Sequence, residues 1–415
     1  MWTCVLAAEA LYLFVAFHSW TNGWAQTSLF VAIFAAQFAL VAWAARRGPP
    51  STRAMLAAAI LFRLTLLPAG FEDGAWQRFQ LYDSDVWRYL WDGHVTASGH
   101  NPYTFAPRDR SLDPLAGDLY WMDVRDNVNY GGIPTVYPPA AQFVFLLAHP
   151  FGVLGMKLAS TAFDLSALLF LMATLRILRR PMSDCLWYAW NPLAIKVFAG
   201  SGHIDSLTVA SLAMLFWALA AGSRSAGFAY AIAVLSKWSP LALLPMLPWR
   251  GSILLFLPLL AIPDLFTGFS IFANFWEFNA APHALLRTLF QSAAIAKLAA
   301  AAAVIWLACR ARYQGDLEAF ARQTGYTLGA LILLAPAVMP WYVPWLLPAA
   351  ILGGDRRWIL FSGVVFLAFF VMADGRERWW IAAAEYGSLI LWETRKYATY
   401  FSAWGHRATA FAGAR

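Results

Sequence analysis

The chain has 415 residues, 60% of them hydrophobic and only 13% charged, with a formal net charge of +7. A soluble domain carries about 25% charged residues, so an ordinary soluble enzyme is excluded. The recurring apolar runs (residues 29–45, 207–221, 253–266 and 359–372 among them) predict an all-α polytopic membrane protein. Arg and Lys fall between these runs, where they report topology, so the positive charge points to no nucleic-acid partner.

In chain order, "MWTCVLAAEALYLFVAF" lacks a basic leader region and a small-residue cleavage site, and reads as a retained first span. "ARRGPPSTR" (residues 45–53) is a short basic loop, cytoplasmic by the positive-inside rule. The first span then runs outward, the second returns, and the third, at about residues 54–68, goes out again. Residues 69–136 therefore form a large first outer loop facing the periplasm. That loop holds ten of the 23 acidic residues and five basic ones.

Within it lies "YDSDVWRYLWDGHVTASGHNPY", residues 82–103. Asp85, Arg88, Tyr89 and Asp92 are spaced i, i+3, i+4, i+7 and share one face of a helix. Asp83 or Ser84 suits the N-cap, and Gly99 followed by Pro102 suits the stop. The prediction is a short amphipathic helix on the outer membrane surface, its apolar side in the lipid boundary. A surface ion pair among Asp85, Arg88 and Asp92 is the plainer reading of the same spacing.

Later basic loops at residues 176–181, 222–225, 309–322, 353–357 and 393–396 read as cytoplasmic. "GSGHID" (200–205), "FWEFNAAPHALLR" (275–287) and "PWYVPW" (340–345) read as outside. "ADGRERWW" (373–380) also falls outside despite two arginines, with Asp374 and Glu377 available to offset them. Cys4, Cys185 and Cys309 all fall on the cytoplasmic side, where a structural disulfide is not expected. Runs at residues 138–155, 228–248 and 337–352 are broken by proline, as re-entrant or cavity-lining backbone is. The expectation is about 11–13 transmembrane helices in a single domain spanning residues 1–415, without repeat or soluble module.

Polar outliers map to the outer side: Tyr137, Asn191, Lys196, His203, Asp205, Lys237, Glu277, Asn279, Trp341 and Tyr342. Ionisable residues in apolar surroundings are costly and mark pathways or sites, although each taken singly is as well explained by an interhelical hydrogen bond. Arg63 and Asp164 read as packing ion pairs or interface anchors. Carboxylates, cations, histidine and aromatic platforms near one membrane face suit a substrate with a lipid tail, a phosphate and a sugar. No Walker A loop, GxGxxG turn, GxSxG elbow, HExxH or CxxC pair is present.

The series "YDSDVWRYLWDGHVTASGHNPY", "VYPPAAQF", "WNPLAIKVFAGSGHIDSL", "SKWSPLALLPML", "WEFNAAPHALL" and "MPWYVPWLLP" resembles bacterial integral-membrane GT-C glycosyltransferases of the mannosyltransferase-like kind. The resemblance covers about residues 63–348. It implies a GT-C-type bundle in the bacterial inner (cell) membrane, with its active site facing the periplasm. It also implies inverting transfer of a sugar, mannose being one candidate, from a polyprenyl-phosphate donor to a lipid or glycan acceptor. The catalytic carboxylate of such enzymes follows an early span, which matches Asp83 and Asp85. Either is a candidate general base. Arg88, His203, Lys237 and Lys196, in that order, are candidates for stabilising the phosphate, and Arg88 is equally suited to holding the base. Tyr89, Asp92, Asn101, Tyr103 and Tyr137 are expected to line the sugar or acceptor pocket with Asp205, facing Trp341 and Tyr342. No cofactor is required, and no metal ligand is assigned, although an Asp–x–Asp pair is able to hold Mg2+ or Mn2+. The expected partners are the donor, the acceptor and membrane lipids. A transporter or flippase of lipid-linked saccharides is the alternative function, and an inactive scaffold a third.

Overall fold

The computed structural model describes residues 2–72, 75–76, 85–247, 256, 259 and 261–394, and among these it is helical almost throughout. The first three helices are α1 (Trp2–Phe17), α2 (Trp24–Arg47) and α3 (Thr52–Leu66), and a two-stranded hairpin follows, β1 (Phe71–Glu72) with β2 (Ala75–Trp76). The chain then forms α4 (Asp85–Ala97), a 3-10 turn at Arg110–Ala116, and α5 (Leu119–Asp126). Next come α6 (Pro139–Ala148), α7 (Gly152–Ile177), α8 (Leu186–Ala189) and α9 (Pro192–Ile195), then a π-turn at Lys196–Gly200. The second half holds α10 (Asp205–Ala220), α11 (Ala226–Ser236), a 3-10 segment at Ser239–Met246, α12 (Thr267–Phe275), α13 (Ala281–Phe290), α14 (Ala293–Cys309) and α15 (Leu317–Leu334). A 3-10 turn at Pro340–Leu346 leads into α16 (Leu347–Gly353), α17 (Arg356–Val364) and α18 (Ala368–Asp374), and residues 379–394 are helical again.

Among the described residues, three stretches are long and apolar enough to cross a membrane: Trp24–Arg47, Pro139–Ile177 and Arg356–Asp374. A fourth arises if α13 and α14, bent by 118° at their junction, form one broken span. The sequence expectation was about 11–13. The expected run at 253–266 lies partly outside the described residues, and elsewhere the difference lies in where apolar runs break. α1 and α10 are apolar but have 16 residues each, a rise of roughly 24 Å against a hydrocarbon core of about 30 Å. Pro240 and Pro245 turn the 239–246 stretch into 3-10 backbone, and Pro340 and Pro344 do the same at 340–346, because proline lacks the amide hydrogen and crowds the preceding turn.

Among the described residues, two large apolar clusters and a small third around Phe370, Val371 and Ile381 organise the interior. The larger gathers α1–α3, α7–α11 and α15–α17, with Trp20, Phe34, Trp190 and Phe361 at most 1% exposed. A fully buried ion pair ties α3 to α7 within it. Arg63 Nε lies 2.6 Å from Asp164 Oδ2, the Tyr188 hydroxyl donates to Asp164 Oδ1 (2.7 Å), and Arg63 Nη1 donates to Ala189 O. Arg63 and Asp164 are therefore a packing pair, as the sequence indicated.

The second cluster is built around α4, with Trp87, Leu90 and Trp91 packed against Leu112, Val124, Phe145 and Met156. This corrects the expected surface helix with an apolar side in lipid. Every residue from Val86 to Gly93 is buried, and α4 lies against α5, α6 and α7. An amphipathic pattern does not distinguish a lipid boundary from a protein partner. The close approach to α6 depends on Gly93, where a Cβ would fall 2.4 Å from Phe145 O and 2.7 Å from its carbonyl carbon. Those are backbone atoms and cannot rotate away. Gly93→Ala should therefore cost about 1–3 kcal/mol by overpacking and push α4 off α6, read as a lower melting temperature of the purified protein. The helix stops where expected: Gly99 takes φ 79° and the His100 amide donates to Val95 O (3.1 Å), a glycine C-terminal motif.

The arginines of "ADGRERWW" are also accounted for in part. Arg378 pairs with Asp374, and its guanidinium lies over the Trp24 ring (4.4 Å). Glu377 accepts from the Ala280 amide (3.2 Å).

Candidate active site

Asp85 is the first residue of α4, so its carboxylate sits at a helix N-terminus, where negative charge is favoured. Its side chain is 24% exposed, which leaves it open to a ligand. The Tyr137 hydroxyl donates to Asp85 Oδ2 (3.0 Å), and His203 Nδ1 lies 3.9 Å from the same oxygen. Tyr137 is placed by the chain that follows it, since Pro138 is extended and Pro139 starts α6 with its φ already helical. From behind, the Tyr103 hydroxyl donates to Tyr137 O (2.9 Å) and Tyr89 meets the Tyr137 ring edge-on. Burial, and then the Asp85 charge, pushes the Tyr137 phenol well above its ordinary range, so it stays a donor.

Lys237 approaches from the other side, on extended backbone just past α11. Its ammonium lies 3.1 Å from Asp205 Oδ1, which also accepts from Trp345 Nε1 (3.0 Å). Three ring faces surround it: Tyr342 at 4.8 Å, Tyr137 at 5.3 Å and Trp345 at 5.7 Å. The Tyr137 ring thus bridges the lysine and Asp85. Asp205 and His203 reach the site because Gly202, at φ 74°, turns the chain from the π-turn into α10. The His203 ring stacks on Trp341 (4.4 Å, 19°) and its Nδ1 lies 3.4 Å from the Tyr89 hydroxyl. The 3-10 backbone at Pro340–Leu346 delivers Trp341, Tyr342 and Trp345 to one place.

These residues close one end of a cavity of about 1270 Å³, larger than the roughly 300–1,000 Å³ of ordinary small-molecule sites. Asp85, Arg88, Tyr137, Lys237, Trp341 and Tyr342 line the polar end. Leu241 and Ala242, Phe269 and Phe272 of α12, Ala301, Val304 and Ile305 of α14, and Leu331 of α15 make most of the rest apolar, with Lys297, Glu277, Asp126 and Asn127 as further polar lining. The cavity has a charged head end and a greasy body.

Several expected site residues stand in the wall and do not line the cavity. Asp92 is buried, accepts from Gln142 Nε2 (3.1 Å) and lies 3.7 Å from Arg88 Nη1. Burial raises its carboxyl above the ordinary range, against Arg88, Thr135 and Gln142, which lower it. Tyr89, Tyr103, His203 and Asp205 likewise hold other groups in place. Two residues belong elsewhere. Asn101 is outside the cavity, its amide donating to Thr104 Oγ1 and Pro263 O. Lys196 is on the π-turn within the large cluster, 4.4 Å from the Phe369 ring. Asn191 caps α9 and donates to Ser362. Glu277 pairs with Arg287 at the cavity rim, and Asn279 donates to Glu385 (2.7 Å). His94 stacks on Trp121 (3.7 Å, 4°), and His100 Nδ1 lies 3.1 Å from Ser98 O, so neither histidine belongs to the site. Asp83 lies outside the described residues.

Sequence reasoning missed Gln142, Thr135, Trp345 and the α12–α14 wall. Gln142 had a signal, a lone amide in the apolar run "PPAAQF". The α12 and α14 residues had none, since they look like any lipid-facing helix. Among the described residues, no group of three or more His, Cys, Asp or Glu side chains gathers as a metal site. No family model, curated protein or solved structure matches the chain.

Proposed function

We propose that the chain is an inverting glycosyltransferase of the GT-C type, with more short and broken spans than length alone identifies, in a bacterial inner membrane with its cavity opening to the periplasm. The observation that carries this reading is the cavity itself. A carboxylate and a lysine share one tyrosine at its polar end, and an apolar channel leads away from them. That suits a polyprenyl-phosphate sugar, with the tail along α12, α14 and α15 and the head beside Asp85 and Lys237.

In the proposed reaction an acceptor hydroxyl attacks the anomeric carbon in line. Asp85 or Asp83 takes the hydroxyl proton as the bond forms, and the bond from that carbon to the phosphate oxygen breaks. The polyprenyl phosphate leaves with the electron pair. Its added negative charge needs a cation already in place, and Lys237 is held for that purpose by Asp205 behind it and rings around it. Trp341 and Tyr342 present aromatic faces to the sugar. The mechanism requires no metal.

The test is transfer by protein reconstituted in liposomes with a radiolabelled polyprenyl-phosphate sugar and an envelope lipid extract as acceptor. A new glycosidic product and free polyprenyl phosphate are expected, and Lys237→Gln should lower the rate roughly 10²-fold, the scale of one lost oxyanion donor. The bent α13–α14 pair and the 3-10 breaks beside the cavity also suit a transporter of lipid-linked saccharides. Movement of the label across the bilayer with no new glycosidic bond would establish that reading instead.

A further inference from the structure

Arg88 lines the polar end of the cavity, and its charge alone would make it a natural phosphate ligand. One of its two terminal nitrogens is already committed, while the buried Nη1 has no hydrogen-bond partner among the described residues. Nη2 points at three main-chain carbonyls of one short strap, Ile133 O at 2.9 Å, Tyr130 O at 3.3 Å and Asn129 O at 3.5 Å. Nη1 faces Asp92 Oδ1 at 3.7 Å, and Asp92 is fixed in turn by Gln142, which also donates to Thr135 Oγ1 (2.8 Å). The charge is thus offset by Asp92 and Nη2 is spent on the strap backbone, which leaves Nη1 as the one terminal nitrogen without a hydrogen bond among the described residues.

The strap is built to be held. Tyr130 takes φ 55°, a left-handed conformation that L-residues avoid. Gly131 and Gly132 follow it, and the Ile133 amide closes the turn onto Tyr130 O (3.0 Å). From outside, the Arg108 amide donates to Gly131 O (2.8 Å), and a Cβ on Gly131 would fall 2.9 Å from the Arg108 side chain. The Arg88 guanidinium and the Arg108 main-chain amide therefore both hold the strap. The exposed Tyr130 ring meets Trp276 edge-on at 3.8 Å. Both residues line the cavity.

We propose that Arg88 is a positioning residue that pins the 129–133 strap closed against Trp276 over the head-group end of the cavity, and that an anionic lipid head group reaches Lys237 when this strap lifts. The identity of the head group rests on the glycosyl-transfer reading; the pinned strap does not. A guanidinium fork reaches several carbonyls at once, whereas a lysine ammonium is a single compact charge. Arg88→Lys therefore keeps the charge and loses the pin, which separates this role from phosphate binding.

Hydrogen exchange of the full-length protein without substrate reads the strap directly. Arg88→Lys and Arg88→Gln should both speed exchange of the Ile133 amide about tenfold, and Tyr130→Ala, which frees the latch from its exposed side, should do so as well. With a sugar-free polyprenyl monophosphate as probe, Arg88→Lys and Arg88→Gln should bind within about threefold of each other. In the transfer assay both should lower KM for the donor, because the open strap that admits it is then more populated. The proposal is overturned if the Ile133 amide exchanges at the wild-type rate in the arginine variants. It is equally overturned if Arg88→Lys keeps probe affinity while Arg88→Gln loses it tenfold or more. Should both arginine variants fail to fold, wild-type exchange in Tyr130→Ala overturns it alone. Loss of transfer with the exchange results intact leaves the strap standing and removes only the glycosyl-transfer reading.

Discussion

Asp85→Asn should lower glycosyl transfer by about 10²–10⁴-fold, the range a positioned general base contributes, while leaving the fold in place. The asparagine has the same shape, and its amide oxygen still accepts the Tyr137 hydroxyl that now donates to Asp85 Oδ2. What it cannot do is take a proton. The melting temperature should stay near wild type, and the loss should appear in kcat. Asp85 is chosen because its carboxylate is partly exposed on the cavity, with Lys237 on the other side of the Tyr137 ring. Asp83→Asn belongs in the same experiment, because the DxD-like spacing offers both. If Asp85→Asn transfers normally and Asp83→Asn does not, the base is Asp83 and Asp85 serves to orient Tyr137. If both transfer normally, neither carboxylate is the base.

The helical period along 85–92 was legible in the sequence because a helix presents i, i+4 and i+7 together whatever surrounds it. Asp85 and Tyr89 do face His203 and Tyr137, and Arg88 does approach Asp92. What encloses the helix was not legible. Apolar residues facing lipid and apolar residues facing α6 look the same, and only the clash a Cβ would make at Gly93 separates them. Lys196 and Lys237 make the same point. Each is a single lysine in an apolar run, and the path of the chain sends one against Phe369 and the other to the cavity. Prolines were informative, since the broken stretches at 239–246 and 340–346 were both marked by them. The strap contact of Arg88 was not legible for a different reason. Charge identifies what a side chain can bind, but the carbonyls that occupy Arg88 come from residues 41 to 45 positions away, and no local pattern carries that pairing.

Asp164→Leu should destabilise the protein by about 3–5 kcal/mol, the cost of leaving a buried charge without its partner. Arg63 is completely buried, and besides Asp164 it bonds only to backbone, at Ala59 O and Ala189 O. Arg63→Met should cost a similar amount by stranding Asp164, whose remaining partner is the Tyr188 hydroxyl. The double variant should be more stable than the two single losses added together by at least about 2 kcal/mol, because an apolar pair of similar volume needs no charge compensation. Unfolding measured in detergent as a double-mutant cycle decides this, and additive losses would show that the pair contributes no coupling. The consequence reaches the site through α7. Asp164 lies one turn beyond Ser160, whose hydroxyl donates to His203 O (2.6 Å), and α7 also carries Lys157, which donates to Ala69 O (2.8 Å). A charge stranded at Arg63 therefore loosens the same helix that holds His203 against Trp341. Transfer activity in the single variants should fall with the folded fraction and recover in the double variant, whereas Asp85→Asn should not recover under any condition that restores folding.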